Sequence, residues 1–367
     1  MPDRLRRKRY GSDLSDAEWA TLEPLVPKVV YKGWGQAGRW HLRDIVDGIF
    51  YVLKTGTPWR DLPGDLPHWN SVWGYFYRWR KDGTWQRLHD ALRGDLREAA
   101  GREREPSAGI LDSQSVKGTE LTGVTRTSTD AEAHDRALLA TAILNSTESD
   151  LSDVQRDELV ATVLGSGHGL PDAAIPGFLA EALVNPGEGA PEGVIRPPKG
   201  GIEASGYDAG KKVKGRKRHL LVDTLGLVIA IVVHAGNIQD RDGAKLVLRR
   251  ARLQLNATTH ARLEKIWADN GYAGKLIDWV RTHCGWDLEI VRRPEEAKGF
   301  KLVKWRWIVE RTFGWFNRFR RLAKDYERFA QTQETMVLLA MTRLMVRRLA
   351  HPHRESFRGT QVFAKAV

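Results

Sequence analysis

Apolar residues recur every three or four positions through the first hundred residues, which predicts a group of short helices. Ser15 followed by Glu18 is a capping-box pattern, and it opens a helix from Asp16 to about Leu25. The same periodicity predicts helices at 42–55, about 68–82 and about 84–98. A loop rich in glycine and proline separates the second of these helices from the third.

This helical region, residues 1–104, has two interpretations. Helices joined by a loop, with Arg78, Arg80 and Lys81 at the end of the third helix, fit a DNA-binding domain of the helix-turn-helix kind. An ordinary helical bundle is the alternative, because eight of the 14 tryptophans lie here and would fill a core.

Beyond residue 104 the pattern changes to short apolar runs that are typical of strands. Runs at 216–224 and 227–235, separated by Leu225-Gly226, predict a β-hairpin. Apolar runs at 109–111 and 263–268 each end in an aspartate, and a further strand is expected at 288–292. Helical periodicity returns at 243–255, 273–283, 305–319 and 334–349. Strands that alternate with helices predict an α/β domain.

The segment 121–202 differs from the rest of the chain in composition. It contains no tryptophan and carries a net charge of −7, from five Lys+Arg and 12 Asp+Glu. Short helices are expected at 130–144, 152–164 and 174–184, so the segment is interpreted as a small acidic helical insertion. It is either an acidic flap that competes with DNA for a basic groove or a surface insertion without a role, which costs little loop-closure entropy.

The net charge of the chain indicates what kind of partner it binds. The 367 residues carry a net charge of +12, which favours a polyanionic partner such as nucleic acid. Cys284 is the only cysteine, which excludes a disulfide framework and a cysteine-rich zinc site. We expect no membrane-spanning segment and no secretory signal, and therefore a cytoplasmic, nucleoid-associated protein.

Two basic segments are the candidate track for DNA, since phosphate neutralisation supplies affinity that is independent of base sequence. The first has six positive charges in eight residues: Lys211, Lys212, Lys214, Arg216, Lys217 and Arg218. The second interleaves aromatic residues with Arg306, Arg311, Arg318, Arg320 and Arg321. Its aromatic residues either stack on unpaired bases or belong to the core.

Three carboxylates are the candidate chemical groups. Asp112 and Asp269 each follow a predicted strand, and Glu310 lies in the predicted helix 305–319. Carboxylates that converge from two strands and a helix could hold a pair of Mg²⁺ ions, which prefer oxygen ligands. For any one carboxylate alone, a helix cap or an ion pair is the alternative.

Several blocks of sequence resemble bacterial insertion-sequence transposases of the DDE class, in the RNase H-like superfamily, and among these the fifth-numbered insertion-sequence family. The blocks cover most of the chain outside 121–202. They are 14–92, Leu111-Asp-Ser-Gln-Ser-Val-Lys117, 206–219, Trp267-Ala-Asp-Asn-Gly-Tyr-Ala-Gly274, Val309-Glu-Arg-Thr-Phe-Gly-Trp315 and 320–327.

The resemblance implies an RNase H-like catalytic domain, a mixed sheet flanked by helices, formed by 105–120 and 203–350 and followed by a tail at 351–367. It implies that Asp112, Asp269 and Glu310 are the DDE triad, which binds two Mg²⁺ ions, with Mn²⁺ as a substitute. Arg306 matches a family arginine that contacts the backbone of the transposon end. The accompanying family tyrosine is replaced by Val303, and the family lysine by Asn317 with Arg318 beside it.

We therefore expect a DNA transposase whose helical N-terminal domain binds terminal inverted repeats. The triad would release 3′-OH ends and join them to target DNA by transesterification. The expected partners are double-stranded DNA and a second copy of the chain, as a homodimer on paired ends, and no membrane. The alternatives are a metal-dependent nuclease without strand transfer and a catalytically silent DNA-binding protein.

Overall fold

The computed structural model describes residues 9–27, 40–119, 205–256, 262–291 and 305–352. The three helices predicted between 130 and 184, and Val303, lie outside the described residues.

Within the described residues four α-helices precede the first strand, and their bounds agree closely with the prediction: α1 Asp16–Leu22, α2 Leu42–Thr55, α3 Trp69–Lys81 and α4 Thr84–Ala99. The capping box is confirmed, because the Glu18 amide donates to the Ser15 hydroxyl and the Ser15 amide donates to the Glu18 carboxylate. Helix α2 ends at Gly56, whose φ of 75° lies in the left-handed region that favours glycine.

The described strands form one mixed sheet: β1 Ala108–Lys117, β2 Gly206–Asp208, β3 Val213–Asp223, β4 Val228–Ala235, β5 Lys265–Ala268 and β6 Asp287–Ile290. Strand β3 is antiparallel to β1, β2 and β4, which confirms the predicted hairpin. Strand β5 is parallel to both β1 and β6. The sheet therefore runs β2-β3-β1-β5-β6, with β4 also paired to β3.

Strand β1 corrects one expectation from the sequence. Asp112 does not end the strand, because β1 continues to Lys117 and pairs with β3 along that length. Asp269, in contrast, follows directly after β5 as predicted.

Four more helices follow the hairpin in the described part of the chain: α5 Asp240–Asn256, α6 Leu276–Cys284, α7 Arg306–Phe316 and α8 Ala330–Ala350. Helix α7 ends three residues earlier than predicted, and a 3-10 turn, Arg320–Leu322, comes after it. None of the helices in the described residues is long and apolar enough to cross a membrane.

Helices cover the sheet on both sides and create two hydrophobic cores. The smaller core contains side chains of α5 and α6 with Leu111 and Leu221 from the sheet. The larger core joins the N-terminal helices, α7 and α8 with Ile110 and Leu220. The N-terminal helices thus share their core with the last helix, while the domain boundary at residue 104 stays a prediction.

Candidate active site

Asp112 lies in the middle of β1, the strand between β3 and β5. Its Oδ1 atom accepts a hydrogen bond of 2.7 Å from the Ser113 amide. Burial raises the pKa of the Asp112 carboxyl to about 6, and the negative charge of Asp269 adds to the rise. Arg306 and Lys211 oppose the shift. Burial therefore outweighs the two nearby cations in setting the protonation of Asp112.

Asp269 lies at the point where β5 ends and a 3-10 turn, Asn270–Tyr272, begins. Its Oδ1 atom caps this turn by accepting from the Gly271 amide at 2.8 Å. Its Oδ2 atom lies 3.6 Å from the Arg306 guanidinium. Asp269 thus uses one oxygen to order its own loop and directs the other to helix α7.

Glu310 is one helical turn after Arg306 on α7, so the two side chains project to the same side of the helix. Glu310 Oε1 lies 3.5 Å from the Arg306 guanidinium, which therefore contacts both Glu310 and Asp269. Arg306 thus lies beside Asp269 and Glu310, and Asp112 interacts electrostatically with Asp269 and Arg306.

The donor chemistry of this cluster suits a divalent cation, because carboxylate oxygens are the ligands that Mg²⁺ prefers. However, among the described residues no three His, Cys, Asp or Glu side chains stand close enough to hold a metal ion. Arg306 lies where it neutralises two of the three candidate ligands.

Aromatic side chains form one wall beside the carboxylates. Trp267 of β5 stacks on Trp305 with ring centroids 4.3 Å apart and an angle of 8° between the rings. Trp305 comes directly before α7 and has a φ of 74°, in the left-handed region. Phe313 and Trp315, in contrast, are buried in the larger core, as the alternative interpretation of the aromatic residues expects.

The predicted phosphate contacts separate into exposed and buried groups. Lys211 lies beside Asp112, because its ammonium donates to the Ser113 carbonyl at 3.2 Å. The exposed members are Lys81, Lys211, Lys212, Lys214, Arg318 and Arg320. The partly exposed members are Arg78, Arg80, Arg306 and Arg311.

Four of the predicted contacts are buried in this structure: Arg216, Lys217, Arg218 and Arg321 are at most 8% exposed. Each of these side chains bonds within the protein. Arg216 pairs with Asp325 at 3.2 Å, and Arg321 pairs with Glu327 at 2.6 Å.

The other two buried cations bond to carbonyl oxygens. Lys217 donates to the Ile238 carbonyl at 2.8 Å, and Arg218 donates to that of Leu322 at 2.9 Å. Burial lowers the pKa of Arg218 to about 10. Their strand, β3, lies between β1 and β4 and is covered on both faces, so it has no face for DNA.

The sequence analysis missed a polar cluster behind Asp112. Ser113 donates to Asp240 at 2.9 Å, and Asp240 lies 3.1 Å from Lys217. His219, His234 and Tyr272 form a second buried chain of hydrogen bonds beside them. His219 and Tyr272 both lie within the sequence blocks that resemble transposases, and this was the one sequence signal that could have identified them.

Two family models match the chain. Residues 175–345 match the transposase DDE domain, and residues 14–89 match a transposase family of the insertion sequences IS4/5. The first match includes Asp269 and Glu310 and begins inside the segment 121–202, after Asp112.

Two curated relatives come from Burkholderia cepacia. The uncharacterized 16.2 kDa protein of insertion element IS402 is 34% identical over 108 residues, which are 28% of this chain and 72% of the relative. A protein named as a transposase for IS402 is 31% identical over 119 residues, which are 32% of this chain and 56% of the relative. No solved structure matches the chain.

The match to the transposase DDE domain identifies the chain as an enzyme of the DDE class, which cleaves and transfers DNA, and the mixed sheet with helices on both faces fits the RNase H-like fold that this domain implies. More specifically, the chain belongs to the IS4/5 family of insertion-sequence transposases.

Proposed function

We propose that this transposase binds the terminal inverted repeats of its insertion sequence, cuts the DNA to release 3′-OH ends and joins those ends to target DNA. The observation that carries the proposal is the convergence of Asp112, Asp269 and Glu310 from β1, the end of β5 and α7. Residues from such distant parts of the chain have no shared structural task that requires three like charges at one place.

Asp112, Asp269 and Glu310 would hold the divalent cations, for which we propose two Mg²⁺ ions. When bound, the ions activate the attacking oxygen and stabilise the leaving one. Arg306 would exchange its carboxylate partners for a phosphate of the transposon end. Its position beside both Asp269 and Glu310 supports this role, because the same place must receive the reacting strand.

The exposed cations would hold the DNA backbone next to the carboxylates. Lys211 is anchored on the Ser113 carbonyl beside Asp112, and Arg318 and Arg320 follow α7. Arg78, Arg80 and Lys81 at the end of α3 would extend the contact along the N-terminal helices. A dimer on paired ends would allow two 3′-OH ends to join the target together.

The test uses the purified full-length protein with Mg²⁺ or Mn²⁺ and a plasmid that carries the ends of its own element. Asp112→Asn, Asp269→Asn and Glu310→Gln should each lower cleavage and joining by at least ~10³-fold, because each removes a charge that the transition state requires. DNA binding should persist in all three variants.

Asp242→Asn is the matched control, since Asp242 lies exposed on α5 and contacts only Lys245 among the ion pairs of the described residues. Cleavage without joining of labelled 3′ ends would replace the proposal with a nuclease. DNA binding with neither reaction would leave a silent DNA-binding protein.

A further inference from the structure

The sheet itself does not fix the distance between Asp112 and Asp269. Strands β1 and β5 pair only through 108–110 and 265–267, so their ladder stops two residues before each aspartate. Beyond that point β1 and β5 are not paired with each other, although each stays paired with its other neighbour. Contacts outside the β1–β5 ladder therefore contribute to the separation of the two carboxylates.

A buried chain of hydrogen bonds lies directly behind the two aspartates. The Tyr272 hydroxyl is 2.8 Å from His219 Nε2, and His219 Nδ1 is 3.1 Å from His234 Nε2. His234 Nδ1 is 3.0 Å from the Ala235 carbonyl oxygen. Tyr272 is 1% exposed, His219 0% and His234 5%, so water does not compete for these bonds.

The Ala235 carbonyl sets the direction of every proton in this chain. A carbonyl only accepts, so His234 carries its proton on Nδ1 and its Nε2 accepts. His219 must then donate from Nδ1, which leaves its Nε2 as the acceptor for the Tyr272 hydroxyl. Both rings are neutral in this arrangement, and burial lowers the pKa of His234 to about 4 and that of His219 well below its ordinary value.

The two ends of the chain connect to the two aspartates. Tyr272 ends the 3-10 turn that Asp269 begins, and its amide donates to the Asp269 carbonyl at 3.1 Å. His219 lies on β3 opposite Ser113, the residue after Asp112. The bond between Tyr272 and His219 thus spans the gap that the β1–β5 ladder leaves open.

We propose that Tyr272, His219 and His234 are positioning residues that set the separation of the Asp112 and Asp269 carboxylates for the divalent cations and the reacting strand. The inference rests on the proposed function, because it assigns these residues to the same site. They touch neither DNA nor metal, and they act by ordering the turn that carries Asp269.

Close packing of helix α5 supports this role. A Cβ atom added at Gly243 would lie 2.3 Å from His234 Nε2 and 2.6 Å from His219 Nδ1. The helix can therefore cover the two histidines only because residue 243 has no side chain. This contact leaves the rings a single arrangement.

The test compares variants that differ in one hydrogen bond. Tyr272→Phe removes the hydroxyl and keeps the ring. His219→Gln keeps an oxygen near the Nε2 position that can still accept from Tyr272, whereas His219→Asn reaches only as far as Nδ1. Tyr10→Phe is the control, because it removes a hydroxyl that bonds Asp65 at 2.6 Å on the N-terminal region.

Two readouts are measured in the absence of DNA: Mn²⁺ affinity by electron paramagnetic resonance, and amide exchange of residues 269–273 by mass spectrometry. We expect Tyr272→Phe and His219→Asn to weaken Mn²⁺ binding about tenfold and to speed exchange in the turn. His219→Gln should stay close to wild type, and Tyr10→Phe should match it. Single-turnover cleavage should fall with Mn²⁺ affinity, while the affinity for transposon ends stays unchanged.

Unchanged exchange and Mn²⁺ affinity in Tyr272→Phe would overturn the inference, as would a His219→Gln variant as impaired as His219→Asn. If His219→Asn does not fold, the inference is tested by comparing Mn²⁺ affinity and amide exchange between Tyr272→Phe and Tyr10→Phe. Failure of the proposed function looks different. The wild type would then neither cut nor join DNA, although Tyr272→Phe still loosened the turn.

Discussion

At the scale of single residues, Arg306 contacts carboxylate oxygens that a bound metal ion would also need. Its guanidinium lies 3.6 Å from Asp269 and 3.5 Å from Glu310, two of the three candidate metal ligands. A divalent cation at those carboxylates would meet the positive charge of the arginine. Under the proposed function, metal and arginine would therefore compete for the same oxygens until DNA offered Arg306 a phosphate.

Arg306→Gln should accordingly raise the Mn²⁺ affinity of the DNA-free protein several-fold, by about 1 kcal/mol after allowance for solvent screening. The same variant should cleave DNA more slowly, because it loses a phosphate contact. Isothermal titration with Mn²⁺ measures the first effect, with Lys245→Gln on α5 as a control for lost charge. Equal or weaker Mn²⁺ binding by Arg306→Gln would contradict the competition.

The buried histidines predict a dependence of stability on pH. The pKa of His234 is about 4 in the folded protein and about 6.5 when unfolded, so only the unfolded chain binds this proton in between. The free energy of unfolding therefore falls as the pH drops from about 6.5 to about 4, by up to about 1.4 kcal/mol per pH unit for this group. Lys217 lowers the pKa of His234 and Asp240 raises it, so both side chains must be present in every protein that is compared.

His234→Gln should flatten that dependence, because glutamine keeps an acceptor for His219 and takes up no proton. Urea denaturation at several pH values between 4.5 and 7 measures the slope for both proteins. Identical slopes would show that His234 does not contribute. Tyr10→Phe again serves as the comparison outside the cluster.

At the scale of elements, strand β3 buries some members of a continuous run of basic residues and leaves the others exposed. Lys211, Lys212 and Lys214 are exposed, whereas Arg216, Lys217 and Arg218 are buried. The sequence predicted all six as phosphate contacts, because the partners that bury three of them are remote. Asp325, for example, is 109 positions from Arg216. Such pairs have no local signal.

We expect opposite effects from two arginine substitutions. Arg216→Met should cost about 3–5 kcal/mol of unfolding free energy, because it removes the ion-pair partner of the buried Asp325 carboxylate. Arg318→Ala should leave stability unchanged and reduce the salt dependence of DNA binding by about one phosphate contact. Denaturation curves and binding measured at several salt concentrations separate the two. A stable Arg216→Met variant whose DNA binding depends less on salt would show that Arg216 contacts DNA.

Local signals explain what could be predicted about the elements. The Ser15 cap and the left-handed Gly56 fix helix ends from nearby residues, and α1 and α2 were predicted well. The length of β1 was not, because pairing with β3 a hundred residues later carries it beyond Asp112. The three carboxylates were found through family resemblance, whereas the chain from Tyr272 to His234 needed the fold, since its members lie on three different segments.

At the scale of the whole molecule, the N-terminal helices and the last helix depend on each other. Side chains of α1, α2 and α4 share the larger core with α8, and Arg97 of α4 pairs with the fully buried Asp223 of β3. DNA recognition by the first helices and chemistry at the sheet would therefore occur on one connected body of packed side chains.

Residues 105–367 expressed alone should consequently be insoluble, because the apolar face of α8 would lose its cover. Co-expression with residues 1–104 should restore a soluble complex that elutes as one species in gel filtration. The intact chain serves as the reference for cooperative unfolding. A soluble, cooperatively folding 105–367 fragment would show that the two parts are independent.

The position of β1 at the centre of the sheet also affects how the protein is made. Its neighbours, β3 and β5, begin at residues 213 and 265, long after β1 leaves the ribosome. At ordinary rates of translation that interval lasts roughly ten seconds or more. During this time β1, which carries the candidate catalytic residue Asp112, has no partner strand, and we expect a chaperone to bind this segment.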